Sequence, residues 1–175
     1  IANRLTLAKK IPASIKFIDI AGLVKNAHKG EGLGNQFLGH IREVEAIVHI
    51  LRGFEDSNIP TPTGKINPKD DLETVNIELE LAGIKKPTLY VLNLNEKDLS
   101  QKPQDFDLPA STLILSAKLE SELIDLEPKE QAEYLQAVGL SAPILPRLIF
   151  ACYQLLGLIT FYTLLPDQVQ AWPIP

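Results

Sequence analysis

Asp19-Ile20-Ala21-Gly22 is the first stretch whose residue types could do chemistry, because a lone acid is followed by a glycine at the end of an apolar run. In nucleotide hydrolases such an acid holds Mg²⁺, usually through water, and the glycine N–H can meet a γ-phosphate. The alternative interpretation is that Asp19 caps the next turn. Since four residues match by chance easily, the pattern predicts a phosphate site only in combination with others.

Three glycines, at positions 30, 32 and 34, make up the loop KGEGLGN that follows. Backbone N–H groups of such a loop can bind an anion, or the loop can be a flexible turn before a helix that begins at Asn35. The spacing differs from the GxGxxG fingerprint of dinucleotide-binding proteins. The loop alone therefore leaves both interpretations open.

A second candidate site is the segment NLNE, which contains Asn93, Leu94, Asn95 and Glu96 and ends the apolar run 88–95. P-loop GTPases carry NKxD at such a position, and its Asp accepts two hydrogen bonds from guanine. Here Leu94 replaces Lys, and Glu96, one methylene longer, replaces Asp. A displaced carboxylate is expected to weaken guanine selection, because sites built for paired polar contacts discriminate steeply.

The tripeptide Ser116-Ala117-Lys118 ends the next apolar run, 111–118. It matches the loop that closes over the base in P-loop GTPases. A tripeptide carries little information by itself. Its place after the NLNE segment, again at a predicted strand end, is what makes it a candidate for base binding.

The elements that must position these residues alternate along the chain. Predicted strands cover 15–20, 46–51, 88–95 and 111–118, and predicted helices cover 34–45, 69–83, 126–138 and 144–157. This alternation is typical of an α/β fold with a doubly wound, mostly parallel sheet. In such sheets ligands bind beyond the carboxyl ends of the strands, which is where the candidate residues lie.

Composition limits the function classes. The net charge of −5 and the isoelectric point of about 5.2 disfavour general attraction to phosphate backbones as the main source of affinity.

The single cysteine, Cys152, excludes an intrachain disulfide and thiolate metal clusters, and we expect it to be buried and inert. Its apolar run of about 16 residues is shorter than the roughly 20 of a membrane span, so we predict a core helix that continues into a strand. No signal peptide is visible at the start.

The order of DxxG, a modified NKxD and SAK, each after an apolar strand, resembles the Obg-like ATPases. This group is also called the YchF family and lies within the translation-factor-class P-loop NTPases. The resemblance is strongest in FIDIAGLVKNAHKGEGLGNQFLGHI and continues through IVHILRGFED, NPKDDLETVNIELELA, KPTLYVLNLNE and QLLGLITFYT. The final VQAWPIP is similar to the VRAWTIP that opens the family's TGS domain.

The family fold is a P-loop NTPase G domain, interrupted by a helical coiled-coil insertion and followed by a TGS domain. The resemblance therefore implies the first part of the G domain at 1–66, with DxxG and the switch loop. A remnant of the insertion is expected at 67–86, the second part of the G domain with the base loops at 87–165, and the start of TGS at 166–175.

The chain departs from the family pattern at several places. It contains no GxxxxGK[ST], the P-loop that cradles phosphates, and LELAGIKKPTLYV omits most of the coiled-coil insertion. We interpret it as a partial chain that lacks the P-loop, most of the insertion and most of TGS. In addition, LLPDQVQ replaces the family's AGPKEVR, which removes basic character and weakens the case for an RNA contact there.

Carried over by position, the resemblance implies that Asp19 is the acid on the Mg²⁺ side, acting through water, and that Gly22 contacts the γ-phosphate. Leu23 occupies the position of the water-orienting Gln, so hydrolysis is expected to be slow. His28 is a catalytic candidate only by proximity, and a solvated loop histidine is the preferred interpretation.

The resemblance also implies that NLNE, together with Ser116 and Ala117, binds the base, with Leu94 against it and ATP preferred over GTP. The implied function is a slow, Mg²⁺-dependent ATPase switch that binds the large ribosomal subunit according to its nucleotide state. We expect a monomeric cytoplasmic protein without membrane contact. Two alternatives stay open: a non-catalytic interaction module on a G-domain scaffold, and a conventional GTPase in which Glu96 does the work of Asp.

Overall fold

The computed structural model of the protein describes residues 9–20, 33–59, 61 and 64–175. Its strands are β1 (Lys9–Ile11), β2 (Ile47–Arg52), β3 (Thr88–Asn93), β4 (Leu113–Leu115), β5 (Ile159–Leu164) and β6 (Gln168–Ile174). Its helices are α1 (Leu33–Glu43), α2 (Pro68–Leu81), α3 (Ala117–Ile124), α4 (Pro128–Ala137) and α5 (Leu145–Leu155). Two short 3₁₀ turns cover Glu96–Asp98 and Pro103–Phe106.

Strands β2, β3 and β4 form a parallel sheet in that order. In the register, Arg52 lies beside Asn93, and Asn93 lies beside Leu115. All three strands therefore end at one edge of the sheet, as expected for parallel strands whose carboxyl ends carry a site.

Helices cover both faces of this sheet. On one face Leu72 of α2 packs against a buried cluster of Leu51, Leu92, Leu94 and Leu108. On the other face Leu148 and Cys152 of α5, with its N-cap residue Ile144, form a cluster with Val91 and Leu115. This layering confirms the predicted doubly wound α/β arrangement, and Cys152 is buried as predicted, so that desolvation raises the pKa of its thiol.

The predicted helices are formed, and α2 shows why. Pro68 occupies its first turn and Asn67 is its N-cap, with Oδ1 accepting a hydrogen bond from the backbone nitrogen of Asp70 at 3.3 Å. After its last turn, Gly83 adopts a φ of +67°. This left-handed conformation costs glycine little, so the chain can leave the helix there.

The strand predicted at 15–20 was wrong, because residues 12–20 have no regular secondary structure. Phe17 and Ile18 are 53% and 51% exposed. A strand requires a hydrogen-bonded neighbour, and within the part of the chain that is described none pairs with this segment. Its apolar pattern is used differently: Ile15 packs against the α5 side of the sheet, and Ile20 packs against α1 and α2.

The strand predicted at 111–118 is shorter, because β4 contains only three residues and α3 follows it directly. Ser116 is the N-cap of α3, and its Oγ accepts a hydrogen bond from the backbone nitrogen of Leu119 at 3.4 Å. Serine is among the preferred N-cap residues, so the end of the apolar run marks a helix start. The tripeptide from Ser116 to Lys118 consequently lies at a helix N-terminus.

A second sheet contains β1, β6 and β5 in that order. Strands β5 and β6 pair antiparallel from Ile159 opposite Ile174 to Leu164 opposite Val169, and β1 runs parallel to β6. The predicted continuation of the core helix α5 into a strand is confirmed by β5. None of the helices in the described ranges is both long enough and apolar enough to span a lipid bilayer.

Candidate functional site

The carboxyl edge of the parallel sheet is held together by backbone hydrogen bonds beyond the strands themselves. The N–H of Gly53 donates to the carbonyl oxygen of Asn93 at 2.9 Å, and the N–H of Leu94 donates to that of Leu115 at 2.9 Å. The segments that leave β2, β3 and β4 therefore begin from fixed positions. Such an edge can hold a ligand without a large rearrangement of the backbone.

The two predicted base-binding segments meet at this edge. The side-chain oxygen Oδ1 of Asn93 accepts a hydrogen bond from the backbone nitrogen of Ala117 at 2.9 Å. Ser116, by contrast, is 2% exposed, and its hydroxyl is engaged in capping α3. In this arrangement Asn93 and Ala117 join the segments, whereas Ser116 supports the helix.

Leu94 belongs to the core in this structure. It is 2% exposed and packs with Leu51, Leu92 and Leu108. A Cβ added to Gly53 would lie 2.5 Å from Leu94 Cδ2, so Leu94 and Gly53 are in close contact. The resemblance predicts that Leu94 lies against a base, and the structure instead places its side chain in the leucine cluster beneath the sheet edge, because burial of an apolar side chain is favourable.

Glu96 lies at the start of the first 3₁₀ turn, where its side chain is 25% exposed. Its Oε2 accepts a hydrogen bond from the Tyr134 hydroxyl at 3.1 Å, and Lys118 Nζ lies 3.9 Å from its Oε1. Asn95, the residue before it, is half-buried and is the N-cap of the same turn, without a side-chain capping bond. The carboxylate of Glu96 is thus held from α3 and from α4.

Glu122 completes this polar cluster. Its Oε2 accepts a hydrogen bond from the Tyr134 hydroxyl at 2.7 Å, and its Oε1 lies 3.7 Å from Lys118 Nζ. The hydrogen bond to Glu122, followed by desolvation and the hydrogen bond to Glu96, raises the pKa of the Tyr134 phenol. The phenol therefore keeps its proton and acts as a donor at neutral pH.

Arg52, which the sequence reasoning missed, organises the loop after β2 at the same edge. Its Nε donates to the carbonyl oxygen of Phe54 at 3.0 Å, and Nη1 and Nη2 donate to those of Ile59 and Asp56 at 3.2 and 3.3 Å. Its guanidinium carbon also lies 5.2 Å from the centre of the Phe54 ring. The sequence signal that could have identified Arg52 is its position directly after the apolar run 46–51.

Tyr134 was also missed, and no local motif marks it. It lies 38 residues after Glu96 in sequence. Its spacing of four residues from Val138, the C-cap of α4, predicts packing, which the structure shows, and gives no indication of the hydrogen bonds of its hydroxyl. Only the three-dimensional arrangement reveals the contact.

The predicted switch residues are only partly described. Asp19 is exposed, while Gly22, Leu23 and His28 lie outside the described residues. An accessible carboxylate suits Mg²⁺, which is usually bound by one or two carboxylates together with water and substrate phosphates. Across the described ranges, no three His, Cys, Asp or Glu side chains are grouped so as to hold a metal ion.

Comparisons with known proteins identify relatives of this chain. The family model described as "50S ribosome-binding GTPase" matches residues 3–94. The "Ribosome-binding ATPase YchF" of Bacillus subtilis is 32% identical over 94% of this chain, and the protein of that name from Escherichia coli O157:H7 is 33% identical over 95%. The chain spans 64% and 65% of the lengths of these two relatives.

A solved structure shares the fold. The "Structure of the Schizosaccharomyces pombe YchF GTPase" aligns with a TM-score of 0.72 and 24% sequence identity, and the alignment covers 96% of this chain and 65% of that one. At this identity the likeness shows the fold, and it confirms the fold class predicted from the sequence.

Proposed function

The chain belongs to the YchF, or Obg-like, family, and from this premise we propose that it is a nucleotide-binding, ribosome-associated NTPase that prefers ATP over GTP. The observation that carries the proposal is the altered base loop at the carboxyl edge of the parallel sheet. There Asn93 is bound to Ala117, and Glu96 stands where GTPases of the NKxD type carry Asp.

The surroundings of Glu96 support weak guanine selection. An ionised carboxylate accepts hydrogen bonds at two oxygens, and an Asp in NKxD uses both for guanine. In this protein Oε2 of Glu96 already accepts from Tyr134, and Oε1 lies near Lys118. The longer side chain also displaces the carboxylate. Both features reduce its ability to pair with the two N–H donors of guanine.

The phosphate side of the proposal rests on the resemblance. Asp19 would hold Mg²⁺ through water, and Gly22 would donate its N–H to the γ-phosphate. When bound, Mg²⁺ neutralises charge on the phosphates. Leu23 cannot orient a water molecule, so hydrolysis is slow, and His28 is a secondary candidate for that task.

Ribosome binding is proposed because the relatives and the matching family model carry it in their names. We propose nucleotide-dependent binding to the large subunit by a monomeric cytoplasmic protein. With a net charge of −5, attraction to RNA has to come from a local surface.

Two other functions compete with this one. A non-catalytic interaction module would keep the G-domain scaffold without phosphate chemistry. A conventional GTPase would require Glu96 to pair with guanine as Asp does.

Titration of the protein with labelled ATP and GTP at fixed Mg²⁺ separates these functions. We expect tighter binding of ATP, a shift toward GTP in Glu96→Asp, and weaker binding of both nucleotides in Asn93→Ala. The matched control is Asp98→Glu, which changes the length of another acid on the same 3₁₀ turn and should leave the GTP/ATP ratio unchanged.

Each competing function has its own outcome in this titration. A folded protein that binds neither nucleotide would be an interaction module. Tighter binding of GTP, lost in Asn93→Ala, would identify a conventional GTPase.

A further inference from the structure

Two helices converge on the carboxylate of Glu96. Tyr134 reaches it from α4, and Lys118 reaches it from α3, where Glu122 lies one turn further along. The Tyr134 hydroxyl lies within hydrogen-bond distance of two carboxylates, 2.7 Å from Glu122 Oε2 and 3.1 Å from Glu96 Oε2.

A phenol has a single proton, so Tyr134 cannot donate fully to both acids. The shorter bond, to Glu122, is the stronger one. Glu96 therefore accepts the weaker of the two hydrogen bonds from the Tyr134 hydroxyl. Its carboxylate is fixed in place while part of its accepting capacity remains open to another donor, such as an N–H of a bound base.

We propose that Tyr134 is a positioning residue that sets the orientation of the Glu96 carboxylate and thereby its discrimination between adenine and guanine nucleotides. This inference rests on the proposed function. Lys118 holds the other oxygen of Glu96, and Glu122 competes for the proton of Tyr134. Selectivity then depends on four side chains, of which Glu96 belongs to NLNE and Lys118 to SAK, whereas Tyr134 and Glu122 lie outside both motifs.

The hydroxyl can be removed without removing the packing. The Tyr134 ring packs against the buried cluster of Leu119, Leu123 and Leu135, which a phenylalanine ring would preserve. Helix α4 is also held independently, because Gln131 Nε2 donates to the carbonyl oxygens of Leu123 and Leu126 at 2.8 and 3.0 Å.

The decisive measurement is the ratio of the dissociation constants for GTP and ATP in Tyr134→Phe, measured on the whole protein at fixed Mg²⁺. Without the hydroxyl, Glu96 can turn to present both oxygens to guanine, so the GTP/ATP ratio should fall by about three- to tenfold. A general loss of stability would weaken the binding of both nucleotides equally and leave the ratio of their dissociation constants unchanged.

Further variants test the same arrangement. Lys118→Met removes the other hold on Glu96 at a side chain that is 76% exposed, and should lower the ratio in the same direction. In Glu122→Leu the Tyr134 hydroxyl can donate its hydrogen bond entirely to Glu96, so the GTP/ATP ratio should not fall. The matched control is Tyr162→Phe, which removes a hydroxyl on β5 in the other sheet.

A lower ratio in Tyr134→Phe and in Lys118→Met, with Tyr162→Phe unchanged, supports the inference. Nucleotide binding with an unchanged ratio in Tyr134→Phe overturns it and leaves the proposed function intact. If Tyr134→Phe does not fold, an unchanged ratio in Lys118→Met overturns the inference. No nucleotide binding by the unaltered protein overturns the proposed function and the inference together.

Discussion

The side-chain oxygen of Asn93 accepts a hydrogen bond from the backbone nitrogen of Ala117 at 2.9 Å, across 24 residues of sequence. The contact joins the end of β3 to the first residue of α3, whose N–H has no partner within its own helix. Asn93 thus connects the two segments that the sequence marks as base-binding.

Replacement of Asn93 by alanine should lower the free energy of unfolding by about 0.5–1.5 kcal/mol, the usual contribution of one hydrogen bond. The measurement is urea denaturation near pH 7. Asn95→Ala is the matched control, because the side chain of Asn95 makes no capping bond to its 3₁₀ turn. Equal losses in the two variants would mean that the contact with Ala117 does not stabilise the protein.

The sheet edge could be predicted from the sequence because each strand there has a local signal. The runs that became β2 and β3 are apolar, β-branched and bounded by polar residues, and β3 ends at Asn93 as the pattern indicates. The run 15–20 has the same pattern and forms no strand. A strand forms only where a neighbouring strand is available for hydrogen bonding. The apolar pattern of one segment does not show whether such a neighbour is present.

The site was predictable only where a motif is contiguous. NLNE and SAK are local, so their meeting at one edge follows from parallel topology. The hold of Tyr134 on Glu96 depends on the docking of α4 against α3, which no short motif encodes. The burial of Leu94 was missed for a related reason: only the packed structure shows that Gly53 leaves room for its side chain.

Gly53→Ala should be strongly destabilising. An added Cβ would lie 2.5 Å from Leu94 Cδ2 and 2.8 Å from Leu92 Cδ1, and both leucines are fully buried. Overpacking of a core of this kind typically costs about 1–3 kcal/mol. Thermal and urea unfolding would measure the loss, and displacement of Leu94 should also disturb the adjoining Asn93.

Gly39→Ala is the control for Gly53→Ala, because the same substitution should be stabilising at this position. Gly39 lies within α1, and among the described residues an added Cβ would meet no atom within 4 Å beyond its chain neighbours and the backbone of its own helix. Alanine should therefore raise the free energy of unfolding by up to about 1 kcal/mol through helix propensity. If Gly53→Ala is as well tolerated as Gly39→Ala, the contact between Gly53 and Leu94 is not a constraint.

Glu120 on α3 stabilises the start of α5. Its Oε1 accepts from the backbone nitrogen of Ile144 at 2.6 Å, and its Oε2 accepts from that of Leu145 at 3.1 Å. These are N–H groups at a helix N-terminus, where a negative charge is also favourable. Glu120→Ala should lower the free energy of unfolding by about 1–2 kcal/mol.

The matched control for Glu120 is Glu133→Ala on α4. Glu133 is 69% exposed, and its Oε1 lies 3.9 Å from the Nζ of Lys129, one turn earlier. An exposed pair of this kind contributes little, so the variant should unfold within about 0.5 kcal/mol of the unaltered protein. A loss in Glu133→Ala comparable with that in Glu120→Ala would argue against a capping role.

His49 lies on β2 with its Nδ1 buried and, among the described residues, without a hydrogen-bond partner. Its ring is tilted against that of Tyr90 at a centroid distance of 5.9 Å. Desolvation lowers the pKa of His49 to about 4, from 6.5 for a free side chain. The folded protein therefore holds this imidazole neutral at pH values where the unfolded chain protonates it.

The stability that depends on His49 should be fully present above pH 6.5 and be lost as the pH falls toward 4, because only the unfolded state takes up the proton in that window. The free energy of unfolding should fall by about 1.4 kcal/mol per pH unit there on account of this residue. In His49→Phe, urea unfolding between pH 6.5 and 4.5 should show a shallower decline, while His40→Gln, an exposed position on α1, should retain the original slope. An unchanged slope in His49→Phe would show that His49 titrates alike in both states.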